Sequence, residues 1–277
     1  DVLAGDDGAA FSLLASAVRS GSMDVVEHVL FVIRQEFSGN AVKNIISSRD
    51  GRGDSLLTWA VKSKSVEMFK AVMMVVIRNL LEEEVKNIIS SRNGRGDSLL
   101  SYAVNSWSVE MFKAVMIVVV DNLLEEVKEM ILRRDDDRYS LLTRMIANAR
   151  TEMLRAFMST VADKLTEAEV KSIISSRDGH GDSLLSSAVK SHSVEMLEAV
   201  MVVVVDNLLE EEVVELLCEK NVSGWTRLGK VITDGNLGMF EIILRNVQDY
   251  LGHTKMQAAL DAAFLSWKRL YEKDHAR

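Results

Sequence analysis

The chain has 277 residues, of which 48% are hydrophobic and 27% charged, a balance that is typical of a folded protein and argues against disorder. Its formal charge of −8 argues against general nucleic-acid binding, because phosphate contacts need a basic surface. The single cysteine excludes an internal disulfide, and the absence of proline favours long uninterrupted helices.

A seven-residue motif recurs along the chain. It reads GRGDSLL at 51–57 and 94–100, and GHGDSLL at 179–185. When weaker copies of the motif are included, its second leucine occurs six times, at Leu14, Leu57, Leu100, Leu142, Leu185 and Leu228. The spacings between these leucines are 43, 43, 42, 43 and 43 residues. One glutamate is missing at Glu125-Glu126, which accounts for the short step. Regular spacing over six copies indicates a repeat architecture.

The sequence of each repeat predicts three helices, and the repeat at 49–91 illustrates them. Ser55 follows a glycine turn and is a good N-cap for the first helix. The second helix begins near Ser65, and the third near Leu81, where three glutamates suit the positive end of the helix dipole. In the fourth repeat the third helix begins with a capping box at Thr166–Glu169.

Charged and polar residues mark the end of each repeat. A basic residue is expected to complement the negative end of the third helix, at Arg49, Arg92, Arg134, Arg177 and Lys220. An Asp or Asn then opens the next turn, at Asp50, Asn93, Asp135, Asp178 and Asn221.

The second helices contain apolar runs at 71–77, 114–120 and 199–205. A helix that is apolar on all sides must be covered on all sides, which predicts a central layer between first and third helices. Buried parallel strands are the alternative, because Val and Ile dominate the runs. The helical spacing of Glu67–Lys70 just before the first run favours helices.

The two ends differ from the middle. Thr254–Ala276 predicts one amphipathic capping helix, whose apolar residues are Met256, Leu260, Phe264, Trp267 and Leu270. At the start, Val2-Leu3 before Asp7-Gly8 aligns with Ile45-Ile46 before Asp50-Gly51. We therefore expect the chain to open inside a third helix and to be a piece of a longer array.

The segment 50–61, DGRGDSLLTWAV, resembles the turn and first helix of the ankyrin repeat, D-x-x-G-x-T-P-L-H-x-A-A. Ser55 stands for the capping threonine, Leu57 for the signature leucine and Ala60 for the small contact residue, and Val66–Phe69 matches the start of the second ankyrin helix. The inter-helix glycine of the family is matched only in the first and last repeats, by Gly21 and Gly235. The four middle repeats have other residues at this position: Lys64, Trp107, Ala149 and His192. The proline and histidine of T-P-L-H are absent, and the period is about ten residues longer.

The resemblance implies an all-α helical solenoid of about six stacked ankyrin-like repeats with a C-terminal capping helix. Armadillo and HEAT repeats have similar periods and are the alternative fold. The expected array covers residues 1–252, with repeats at 6–48, 49–91, 92–133, 134–176, 177–219 and 220–252, followed by the capping helix at 253–277.

The resemblance also implies a concave groove, lined by first helices, that binds protein. We expect a non-catalytic scaffold or adaptor; the alternative is a permanent structural subunit of a larger, for example organellar, assembly. An enzyme would need a convergent acid–base or metal set, and none repeats in the sequence. Without a signal peptide or an apolar run long enough to span a membrane, we expect a soluble intracellular protein, cytoplasmic or organellar.

Candidate partner contacts come from the positions at which near-identical repeats differ. The segments TWAVKSK (58–64), SYAVNSW (101–107) and SSAVKSH (186–192) keep their core residues and change the polar face of the first helix. The candidates are Lys62, Lys64, Asn105, Trp107, Lys190 and His192, with Arg52 and Arg95 of the turns. Trp107 is the expected aromatic anchor, whereas Trp59 and Tyr102 are expected to be buried. Neutral drift on a solvated surface explains the variation equally well.

Other motifs favour structural roles. Arg52-Gly53-Asp54 and Arg95-Gly96-Asp97 spell the integrin-recognition tripeptide but fill a recurring turn. The five histidines lack metal-ligand spacing, so neither a metal nor a cofactor is expected. Cys218 is expected to be a buried structural thiol, and the glutamate triplets to be helix-start residues.

Overall fold

The computed structural model describes residues 7–134, 138–220 and 224–275, and the chain divides into two compact units, Asp1–Asp137 and Arg138–Arg277. All regular structure in the described ranges is helical, so the prediction of helices through the valine-rich runs is confirmed and the strand alternative is wrong. Val2-Leu3, Asp135 and Asn221, which carried predictions above, lie outside the described residues.

Unit 1 contains three successive groups of a first, a second and a third helix, as predicted. They are α1 Asp7–Ser20, α2 Met23–Glu36, α3 Gly39–Ser47, α4 Leu56–Lys62, α5 Val66–Asn79, α6 Glu82–Ser90, α7 Leu99–Asn105, α8 Val109–Asn122 and α9 Val127–Leu132. Each first helix packs against its own second helix, and within the unit α1 packs against α4 and α4 against α7.

Unit 2 follows the same order. Its helices are α10 Leu141–Ala147, α11 Thr151–Lys164, α12 Glu167–Ile174, α13 Leu184–Lys190, α14 Val194–Asn207, α15 Glu210–Cys218, α16 Arg227–Thr233 and α17 Leu237–His275. Gly252 interrupts α17 with a φ of +66°, which separates the second helix of the last repeat from the terminal segment. No helix in the described ranges is both long and apolar enough to cross a membrane.

Side-chain caps fix where the helices begin. The Ser55 hydroxyl accepts a hydrogen bond from the Thr58 N–H at 3.3 Å, and Ser98, Ser140, Ser183 and Thr226 do the same for the other short first helices. The capping box at Thr166 is confirmed, since the Thr166 N–H donates to Glu169 at 2.9 Å. The last glutamate of each triplet has the same role: Glu84 accepts from the Leu81 N–H at 2.7 Å and Glu212 from the Leu209 N–H at 2.9 Å.

The missing glutamate of the third repeat has a structural consequence. Its third helix, α9, has six residues, whereas α6 and α15 have nine. Glu126 is the N-cap residue of α9 and makes no side-chain cap hydrogen bond. One deleted residue therefore removes the cap and shortens the helix.

The basic residues at the repeat ends do not complement helix termini as predicted. The third helices end before them, and Arg49, Arg92 and Arg177 donate to the carbonyl oxygens of Gly53, Gly96 and Gly181 in the next turn. The guanidinium groups therefore stabilise the turn, because a planar fork of donors can reach back to a backbone carbonyl.

The prediction that the second helices are covered on all sides is wrong. Met74, Ile77 and Ile117 are 50%, 54% and 55% exposed, and Val202 in unit 2 is 46% exposed. The helix α5 packs against α4, α3, α6 and α8, and these neighbours cover only part of its circumference. A run of apolar residues in a sequence therefore did not establish burial on every face.

The terminal segment of α17 does pack as a cap, but through a face that matches the predicted one only in part; the side chains of Trp267 and Leu270 lie outside the described residues. Met256, Ala259 and Ala263 are buried, whereas Phe264 is 58% exposed. The hydroxyl of Ser266 accepts from the Thr226 N–H at 3.2 Å and donates to the Gly224 carbonyl at 3.0 Å. Small residues bring the segment close to α16, which large apolar side chains would prevent.

Candidate functional site

The turn that precedes each first helix is built on an Asx hydrogen-bond pattern. In the second repeat one carboxylate oxygen of Asp50 accepts from the N–H groups of Arg52 at 2.8 Å and Asp54 at 3.0 Å. Gly53 has a φ of +82°, a left-handed conformation that favours glycine. Asn93 and Asp178 organise the corresponding turns of the third and fifth repeats.

Neighbouring turns in a unit are joined through the backbone. The Gly94 N–H donates to the Arg52 carbonyl at 2.8 Å, and the Gly179 N–H donates to the Arg138 carbonyl at 2.7 Å. A β-carbon at Gly53 would lie 2.9 Å from the Gly94 nitrogen, so this approach requires glycine. In each unit one pair of neighbouring turns is therefore joined beside the first helices.

This geometry confirms that Arg52-Gly53-Asp54 is a structural turn. Asp54 is 1% exposed, so its carboxylate is not presented to a receptor. The Arg52 side chain is exposed, as is that of Arg95, so both remain available to a partner.

The buried Asp54 carboxylate collects donors from two repeats. Lys62 of its own repeat forms an ion pair with it, and from the next repeat Asn93 Nδ2 donates at 3.1 Å and the Tyr102 hydroxyl at 3.0 Å. Asn93 Nδ2 also lies 2.7 Å from the Tyr102 hydroxyl oxygen. The cluster therefore ties the second repeat to the third through side chains as well as backbone.

The cluster changes the acidity of its members. Burial acts to raise the pKa of Asp54, but the hydrogen bonds from Lys62, Asn93 and Tyr102 together outweigh it, so the pKa lies below its ordinary value. Burial, followed by the hydrogen bond to Asp54 and the negative charge of that carboxylate, raises the pKa of Tyr102. Asp54 is thus held as an anion and Tyr102 as a neutral donor.

Cations and aromatic rings alternate above this cluster. Lys62 Nζ lies 4.6 Å from the ring centroid of Trp59 and 4.7 Å from that of Tyr102. The Arg19 guanidinium carbon, from the first repeat, lies 5.5 Å from the Trp59 centroid. These are cation–π distances. We call Arg19, Trp59, Lys62 and Tyr102 the first-helix face of unit 1.

Trp59 and Tyr102 are the site residues that sequence reasoning missed. They were expected to be buried, but both are only partly buried and contact the candidate Lys62. Trp59 Nε1 is buried and has no hydrogen-bond partner among the described residues. The 43-residue spacing from Arg19 to its equivalent, Lys62, does not predict this contact. The signal available in the sequence was an aromatic residue at the same position in two consecutive repeats, Trp59 and Tyr102.

Three other candidates occupy the turn between first and second helices. Lys64, Trp107 and His192 are exposed and have φ values of +63°, +65° and +55°. Gly21 and Gly235 have the same left-handed conformation at the equivalent position, with φ values of +76° and +66°. The alignment of these residues with the inter-helix glycine is therefore confirmed by the backbone.

The remaining candidates divide between exposed and paired side chains. Asn105 is exposed at the end of α7. Lys190 Nζ lies 2.5 Å from an oxygen of Asp182, which repeats the Lys62–Asp54 pair in unit 2. Ser187 stands in unit 2 where Trp59 and Tyr102 stand in unit 1, so this position supplies no aromatic ring to the second pair. Cys218 is half-buried rather than buried, and burial raises the pKa of its thiol, which disfavours a nucleophilic thiolate.

Comparison with known proteins identifies the fold. No protein-family model matches the sequence. A search of curated proteins likewise gives no match. Among solved structures, the chain is similar to the ankyrin repeat domain of Bcl-3, described as a unique member of the IkappaB protein family, with a TM-score of 0.58, 15% sequence identity, and coverage of 87% of this chain and 86% of that one. The chain therefore has the ankyrin-repeat fold, an all-α helical solenoid whose first five repeats each carry a third helix.

Proposed function

We propose that the protein is a non-catalytic scaffold or adaptor that binds a protein partner along its first helices. The observation that carries the proposal is the first-helix face of unit 1, in which Arg19, Trp59, Lys62 and Tyr102 alternate charge and ring. Trp, Tyr and Arg are the residues most enriched among binding hot spots. The fold supports the proposal, because ankyrin-repeat domains typically serve protein interaction rather than catalysis.

The candidate contacts of unit 1 extend this face toward both ends of the first helices. Lys64 and Trp107 lie at the turn into the second helix, and Arg52 and Arg95 lie in the turns that precede α4 and α7. The charged residues of the first-helix face and the charged candidates beside it (Arg19, Lys62, Lys64, Arg52 and Arg95) are all basic, although the whole chain has a formal charge of −8. We therefore expect the bound partner segment to carry carboxylates, since complementary charge favours encounter and register.

Trp107→Ala tests the proposal. A pull-down of the native protein with mass spectrometry identifies the partner, and titration of the purified pair then measures affinity. Trp107 is 77% exposed, so its loss should weaken binding by about 2 kcal/mol or more with little change in melting temperature.

Leu209→Ala is the matched control, because Leu209 is 61% exposed but lies at the start of a third helix in unit 2. It should leave affinity unchanged. A lower melting temperature with unchanged affinity for Trp107→Ala would assign Trp107 to packing and remove it from the binding surface.

A permanent place in a larger assembly is the alternative. The exposed Met74, Ile77 and Ile117 favour it, because permanent interfaces are more apolar than transient ones. Co-purification of partners through high salt supports the permanent subunit, and a soluble monomer with a dissociable partner supports the adaptor.

A further inference from the structure

The second helices α5 and α14 have nearly the same sequence but opposite charges on their outer faces. They read VEMFKAVMMVVIRN and VEMLEAVMVVVVDN and differ at five of fourteen positions. Two of these differences reverse a charge, since Lys70 and Arg78 of α5 correspond to Glu198 and Asp206 of α14. Among α2, α5, α8, α11 and α14, only α5 has two basic residues at these positions and only α14 has two acidic ones.

On α5 the two basic residues flank exposed apolar side chains. Lys70, Met74 and Arg78 follow one another at intervals of four residues, so they lie on one side of the helix. Met74 and the nearby Ile77 are 50% and 54% exposed, and both basic side chains are exposed. Within the described ranges neither basic residue forms an ion pair. We call Lys70, Met74, Ile77 and Arg78 the α5 stripe.

A groove of about 660 Å³ lies between α11 and α14 in unit 2. Ser159 and Ala162 of α11 line it and stand where α5 has Met74 and Ile77, so shorter side chains leave the space open. Val202 of α14 also lines the groove and is 46% exposed. The groove, which we call the unit 2 groove, therefore has room for apolar side chains such as those that α5 exposes.

The unit 2 groove has a negative charge. Glu198 and Asp206 line it, one turn before and one turn after Val202. Glu198 pairs with Arg245, but the two side chains are 41% and 66% exposed, and solvated pairs of this kind hold their partners weakly. Arg155, the basic residue of the lining, lies 3.2 Å from a carboxylate of its own helix. The unit 2 groove can therefore accept further basic side chains.

We propose that two copies of the chain associate through these surfaces, with the α5 stripe of one copy docked in the unit 2 groove of the other. The occupant is a second copy because α5 presents a basic, an apolar and a basic residue at the same four-residue spacing at which α14 presents an acidic, an apolar and an acidic one. Both patterns are symmetric about their apolar residue, so the charges match for either direction of α5 across the groove.

The two kinds of contact have different roles in this interface. The apolar side chains supply affinity as they leave water, and the flanking charges fix which helix docks and in which register. The inference goes beyond the proposed function. It uses second helices rather than the first-helix face, so neither proposal depends on the other.

Sedimentation of the wild-type chain over a range of concentrations should show a mass that rises above that of the monomer. Lys70→Glu with Arg78→Asp gives α5 the charges of α14 and should raise the dissociation constant at least about tenfold, because like charges then face each other. Glu198→Lys with Asp206→Arg should do the same from the other side. Circular dichroism checks that the variants are folded, and Asp206→Arg alone replaces the second pair if that pair unfolds the chain.

Lys64→Glu with Arg95→Asp is the matched control. It changes the net charge by the same amount as the α5 substitutions, but at exposed residues beside the first helices. It should associate like the wild type. An equal loss of association in this control would attribute the association to net charge and overturn the proposal.

An equimolar mixture of the two charge-reversed variants provides the sharper test. One variant keeps an acidic unit 2 groove and the other a basic α5 stripe, so the mixture should associate although each variant alone does not. All four substitutions in one chain exchange the charges of the two surfaces and should also restore association. A wild-type chain that stays monomeric at every concentration, association that survives either reversal, or a mixture that fails to associate would overturn the proposal.

Discussion

At the scale of the residue, the backbone at the inter-helix turn is fixed by the repeat rather than by the side chain. Lys64, Trp107 and His192 have positive φ values at the position where terminal repeats have glycine. A β-carbon in this conformation crowds the backbone at a cost of about 1–2 kcal/mol. The packing of first against second helix therefore imposes a conformation that these residues disfavour locally.

Lys64→Gly should raise the free energy of unfolding by about 1 kcal/mol, since it removes this strain at some cost in chain entropy. Urea denaturation measures the difference. Lys70→Gly, in the middle of α5, is the control and should lower stability by about 1 kcal/mol, because glycine there gives only the entropic penalty. A destabilised Lys64→Gly variant would show that the turn is not strained.

The Asp54 cluster predicts a pH dependence. The folded state lowers the pKa of Asp54, so its contribution to stability is present above its unfolded pKa of about 4 and is lost as the pH falls through the folded value. Asp54→Asn should therefore be less stable than the wild type at neutral pH, and the difference should narrow in acid. Thermal unfolding at a series of pH values measures both.

Asp97→Asn is the matched control for that series. Asp97 occupies the same position in the third repeat, but Asn105 stands where Lys62 stands in the second, so that repeat supplies no lysine partner. At neutral pH, Asp97→Asn should lower stability relative to the wild type by less than Asp54→Asn does. Equal pH profiles for the two variants would mean that the Lys62–Asp54 pair contributes no measurable stability.

At the scale of the element, the first helices of repeats 2 to 6 are too short to form alone. Helices α4, α7, α10, α13 and α16 have seven residues each. Isolated helices of this length do not offset the cost of nucleation, so they depend on caps and on packing. The fourteen-residue second helices and the neighbouring first helices supply the surfaces against which they pack.

The caps of the second helices allow a matched comparison. The Ser65 hydroxyl accepts from the Met68 N–H at 3.1 Å, whereas Ser22, at the equivalent position before α2, makes no such bond. Ser65→Ala should therefore cost about 1 kcal/mol in chemical denaturation, and Ser22→Ala much less. Equal losses would show that the hydrogen bond does not account for the preference for serine.

At the scale of the whole molecule, stability in a repeat protein is set by each repeat and its immediate neighbours. Phe112 is fully buried in α8, and Leu197 is fully buried at the same repeat position in α14 of unit 2. Phe112→Ala should cost about 3–5 kcal/mol. The loss should be local because the contacts of α8 lie in its own and adjoining repeats.

Amide hydrogen exchange should show that pattern. Phe112→Ala should accelerate exchange chiefly in α7–α9 and their neighbours in unit 1, and Leu197→Ala chiefly in α13–α15. A uniform acceleration over both units from either substitution would indicate one cooperative domain rather than nearest-neighbour coupling.

The sequence predicted much of the architecture for identifiable reasons. Serine caps, glycine turns and marker leucines are local signals, and they located the three helices of each repeat. Burial is not local, so Met74 and Phe264 were assigned to covered surfaces that the structure exposes. The candidate contacts were predicted from variation alone, and their role in binding remains a proposal.

The sequence by itself determined the repeat, its length and the helical state, because hydrogen-bonded caps and turns act over a few residues. Only the tertiary structure decided which side chains meet across repeats. Asn93 and Tyr102 of the third repeat are brought onto Asp54 of the second by the stacking of one repeat on the next. The physical reason is that a contact between residues some forty positions apart depends on how helices pack, which no local pattern encodes.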